Sequence, residues 1–85
     1  MVSLGRLEEN LGNFINLFSK KKGKKLNRDE LESFARQATI LKSLLEGAGF
    51  DSQPEELNKV RKSVLSRGSI EESDIRKLRE ILSSL

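Results

Sequence analysis

Leu4-Gly5-Arg6-Leu7-Glu8-Glu9-Asn10-Leu11-Gly12-Asn13-Phe14-Ile15-Asn16-Leu17-Phe18 sets large apolar residues at positions 4, 7, 11, 14 and 18. Alternating steps of three and four align five side chains along one stripe of an α-helix, whereas a strand would scatter them over both faces. Downstream, Leu31, Phe34, Ala38, Leu41 and Leu45 repeat the stripe. Leu57, Val60 and Val64 form a shorter one, and Ile75, Leu78, Leu82 and Leu85 a fourth. Isolated amphipathic helices of this length are marginal in water, so the four must bury their stripes against one another. The expected fold is all-α: one domain over 1–85, an antiparallel four-helix bundle made of two helix–loop–helix units.

Local signals agree with the spacing. Asn27-x-x-Glu30 and Ser69-x-x-Glu72 each have the form of a capping box opening a helix. Pro54 suits the first turn of a third helix, where its missing N–H costs nothing. Gly47 and Gly49 end the second helix and Gly68 the third, where a left-handed residue is favoured. The helices are expected at 3–20, 28–47, 54–66 and 70–84.

Composition narrows the function. Eighty-five residues, 35% of them hydrophobic and none of them Trp or Tyr, support a modest aliphatic core and no enclosed substrate cavity. With no histidine and no cysteine, the commonest general base, the thiol nucleophile and the usual transition-metal ligands are all missing. The chain is expected to be non-enzymatic, to take no small-molecule substrate and to bind rather than transform. No apolar run is long enough to cross a bilayer and no charged-then-apolar leader is visible, so no membrane partner and a cytoplasmic location are expected.

The two halves echo each other. Leu26 and Ile70 each follow a glycine (Gly23, Gly68). Each is followed four residues on by an acid (Glu30, Asp74) and then by an apolar residue (Leu31, Ile75). A glycine, an apolar residue and an acid at the head of a helix resemble the exit half of an EF-hand loop, and the lengthened first loop is similar to the pseudo-loop of small two-EF-hand calcium-binding proteins. The resemblance implies that the apolar anchors of the two loops meet in a short bridge and that an acid closes a calcium site. The entry half departs from the pattern. Where that family places oxygen ligands, this chain has Ser63, Leu65 and Arg67 in one loop and Ser19, Lys21 and Gly23 in the other. Calcium would therefore rest on Glu71, Glu72 and Asp74, with weak affinity in the range of about 10⁻⁴–10⁻³ M or poorer. The same acids in a helix's first turn also complement its dipole with no metal at all.

Lys20, Lys21, Lys22, Lys24 and Lys25 crowd the first loop, and without them the chain would be slightly acidic rather than +3. A divalent ion about 8 Å from one lysine is repelled by roughly 1 kcal/mol in water, so five lysines exclude calcium from this loop. They could instead meet nucleic acid through non-specific phosphate contact, or an acidic protein. No stacking aromatic accompanies them, and a solvated loop is the plainer alternative. The first helix has a second oddity. Gly5 and Gly12, with Asn10, Asn13 and Asn16, lie off its apolar stripe at a cost in helix propensity. Small and amide residues there would let a protein partner approach closely, with Ile15 adding apolar contact.

The leading expectation is a binding or adaptor module with weak calcium binding at the loop between the third and fourth helices. The alternative is an accessory subunit of a nucleic-acid-processing complex, docking through the first helix and the lysine loop. A structural homodimer using the first helix alone is a third.

Overall fold

The four stripes become four helices in a computed structural model that describes residues 4–85: α1 (Leu4–Ser19), α2 (Arg28–Gly47), α3 (Gln53–Arg67) and α4 (Glu72–Ser83). No strand forms among the described residues. The expected start of α1 at Ser3 lies outside them. The other boundaries agree with the spacing to within two residues.

Helix starts follow local chemistry. Asn27 caps α2 as the sequence implies: its side chain accepts from the Glu30 N–H at 2.8 Å, and the Glu30 carboxylate accepts from the Asn27 N–H at 3.0 Å. The second cap is displaced. Ser69 is drawn into a backbone bridge and Ile70 is fully buried, so the chain turns into α4 only after Glu71. The reciprocal partner is Asp74, whose carboxylate accepts from the Glu71 N–H at 2.9 Å, and not Glu72. Helix α3 ends on Gly68, which adopts φ 80° and donates its N–H to the Val64 carbonyl at 2.8 Å.

Each helix touches its neighbours in chain order, α1 on α2, α2 on α3 and α3 on α4, and α1 closes the ring on α4. All four share one apolar cluster. Leu7, Leu11, Phe14 and Phe18 of α1 and Phe34, Ala38, Leu41 and Leu45 of α2 are buried, as their stripes require. So are Leu57, Val60 and Val64 of α3 and Ile75 and Leu78 of α4. Phe14, Phe18 and Phe34 form an aromatic triangle with centroids 5.0–5.2 Å apart, joining α1 to α2. The radius of gyration, 12.0 Å, is what a compact domain of this length has, about 12 Å.

The stripes shift at their edges. Leu4, at the start of α1, is exposed, while Ile15 is buried and adds nothing to an outer face. In the last turn of α4 Ile81 is buried, while Leu82, and Leu85 beyond the helix, pack only partly against the core. Both changes widen a narrow seam into a broader buried face.

The loops meet. Lys25 and Ser69 form an isolated antiparallel bridge. The Leu26 N–H donates to the Gly68 carbonyl at 2.8 Å, and the Gly23 N–H to the Ile70 carbonyl at 2.8 Å. Gly23 takes φ 79°, which turns the lysine loop back toward its partner at no Cβ cost. Leu26 and Ile70 are buried on either side of the bridge, which ties the α1–α2 connection to the α3–α4 connection.

Candidate functional site

Two features of the surface follow from this arrangement, the joined loops and a groove between α1 and α2.

At the loops, the sequence-selected acids take separate partners. The Asp74 side chain is buried and ion-paired with the Arg67 guanidinium, while also accepting the Glu71 N–H. Glu72 pairs with Lys22, fifty residues away in sequence, and Glu71 accepts from the Ser69 hydroxyl at 3.2 Å. Glu71, Glu72 and Asp74 thus share one helix start but do not converge on a common point. No group of three acid, histidine or cysteine side chains suited to a metal occurs among the described residues.

The lysine loop is divided by the same contacts. Lys21 reaches Glu30 at 2.6 Å, the residue that also completes the α2 cap. Lys22 reaches across the bridge to Glu72. Hydrogen bonding from Lys21, and then from the Asn27 N–H, holds the Glu30 carboxyl below its ordinary value of 4.5. Hydrogen bonding from Lys22, and then its charge, does the same for Glu72, with Arg76 and Arg79 contributing further along α4. Lys20, Lys24 and Lys25 stay exposed, with no ion pair to any described acid. The structure therefore separates the five lysines into two that are ion-paired and three that face solvent.

The groove was not visible as a unit in the sequence. It runs along the seam of α1 and α2 and encloses about 260 Å³. Buried Phe14 and Leu41 form its floor, Leu17, Ile40 and Leu44 its walls, and Asn10, Asn13 and Gln37 its polar edges. Leu17 is 46% exposed and Ile40 53%, two of only three large apolar side chains so exposed among the described residues. α2 packs more extensively on α3 than on α1. Of the outer residues singled out on α1, Asn10 and Asn13 edge this groove, while Gly5, Gly12 and Asn16 are not among its walls. Among the described residues, and apart from the helix's own nearby backbone, nothing lies within 4 Å of where a Cβ at Gly5 or Gly12 would stand, so their neighbours there do not require either glycine.

One signal could have found the groove. Leu17, Ile40 and Leu44 are apolar residues that no stripe accounts for. Seeing that they face one another requires the register of α1 against α2, which the aromatic triangle sets.

The chain matches no protein-family model, no curated protein and no solved structure.

Proposed function

We propose that this protein is a non-enzymatic binding module that docks a partner protein in the α1–α2 groove. The observation that carries the reading is the pairing of exposed Leu17 and Ile40 over a buried floor of Phe14 and Leu41, edged by amides. Exposed apolar side chains occur singly on any surface, but two on facing helices around a concavity are the usual form of a helix-in-groove site. Asn10, Asn13 and Gln37 supply donors and acceptors that would fix a docked segment without demanding charge.

In this reading the scaffold is two helix–loop–helix units, α1–α2 and α3–α4, set as an antiparallel bundle. The bridge between Lys25 and Ser69 and the short connection between α2 and α3 support that arrangement. A short neutral amphipathic peptide, with leucines spaced four and three residues apart, is the test probe. Its titration should move backbone amide resonances at 10–17 and 37–44. Movement confined to α3 and α4, or none at saturating peptide, removes the groove from the account.

A second reading keeps a weak calcium site at the α3–α4 loop. The coupling of the two loops through the Lys25–Ser69 bridge favours it, since paired loops are how the family that this chain resembles builds its sites. To ligate an ion, Asp74 would have to release Arg67, and Glu72 to release Lys22. Calcium should then bind only at millimolar levels or above. Amide shifts at 66–75 during a calcium titration decide this: unchanged resonances at millimolar calcium exclude the site.

A further inference from the structure

Leu17 belongs to three concavities, one of which, about 300 Å³ beside the start of α2, carries Asp29 and Glu30. It walls the apolar groove, and it also lines an adjoining hollow of about 290 Å³ formed with Lys20, Lys21, Lys24, Lys25 and Leu26. The one acid there, Glu30, is held by Lys21 at 2.6 Å, so the two cancel. Lys20, Lys24 and Lys25 give the hollow its uncompensated charge. The surface is therefore continuous: an apolar trough that ends in a cationic hollow.

We propose that the occupant is an amphipathic helical segment of another protein, apolar along one face and acidic at one end. This rests on the groove being the docking surface. The trough spans Asn10 to Leu17 on α1, about 10 Å at 1.5 Å per residue, enough for two turns and three apolar anchors of a docked helix. Acids one turn beyond the last anchor would then meet Lys20, Lys24 and Lys25. A second copy of the chain is a poorer fit. It would set concavity against concavity. Nucleic acid would use the hollow and leave the apolar trough empty.

Three peptides with the same leucine frame and a terminal run of three glutamates, three glutamines or three lysines separate these cases. Affinities are measured at low and high salt on the intact chain and on a K20Q/K24Q/K25Q variant. The glutamate peptide should bind about tenfold tighter than the glutamine peptide at low salt, as three exposed ion pairs imply. The advantage should shrink at high salt and vanish in the triple variant, while the glutamine peptide binds both proteins alike. Equal affinity for the glutamate and glutamine peptides overturns the proposal and leaves the groove standing. If none of the three binds, the docking surface itself is refuted. Duplex DNA that binds more tightly than the glutamate peptide also overturns the proposal, as does a sedimenting dimer that L17Q/I40Q dissociates.

Discussion

Asp74 and Arg67 show how much one residue decides. Asp74 is the only buried charged residue among those described, and its carboxylate serves both the Arg67 guanidinium and the Glu71 N–H at the start of α4. Asp74→Ala should lose the cap and strand a half-exposed arginine, lowering stability by about 1–3 kcal/mol in chemical denaturation. Glu72→Gln, which removes only an exposed pair with Lys22, should leave the midpoint nearly unchanged. Gly12 has the opposite sign. It sits inside α1 with open space where a Cβ would go, so Gly12→Ala should raise stability by up to about 1 kcal/mol. A thermal melt that drops for Gly12→Ala would show a packing constraint that the open space denies.

For the elements, the joined loops set the pH response. Glu30 and Glu72 both have folded values below the ordinary 4.5, because Lys21 and Lys22 stabilise their charged forms. A carboxyl depressed by folding contributes stability that is complete above its unfolded value and is lost as pH falls through its folded value. Stability should therefore be flat from neutrality down to about pH 5 with respect to these groups. Below 4.5 it should fall slightly, chiefly through Glu30, because the Lys22–Glu72 pair is the more exposed of the two. Replacing Lys21 and Lys22 with glutamine should flatten that acid limb, as read from denaturation midpoints across pH.

The helices were legible because their cause is local. Spacing of three and four, a capping box at Asn27 and a left-handed glycine at 68 each act within one turn, and each appears where the sequence puts it. Leu26 and Ile70, matched by pattern alone, prove to be buried on either side of the bridge. Contacts between distant segments were not legible. The start of α4 moved from Ser69 to Glu71 because Ser69 pairs with Lys25, forty-four positions earlier. Lys21 and Lys22 read as free charges until the fold brought Glu30 and Glu72 to them. Ile15 and Ile81 lie off the stripes, yet both are buried in the shared core, which only the packing of the four helices reveals.

At the scale of the whole molecule, four short helices share one core, and among the described residues the α1–α2 seam holds an apolar hollow where the α3–α4 seam holds a charged one. The α1–α2 seam is where the exposed side chains of Leu17 and Ile40 come together around a hollow, and the lysine loop lies at one end of it. The central claim is that this seam binds a partner helix. It is tested most directly by calorimetric titration of the glutamate-tailed amphipathic peptide into the wild-type chain and into Leu17→Gln/Ile40→Gln. Both side chains are about half exposed, so the double variant should stay folded, with a stability loss of about 1–2 kcal/mol at most. Its affinity should fall at least tenfold, since two apolar side chains can no longer be buried on binding. Equal affinity for the two proteins would contradict the account.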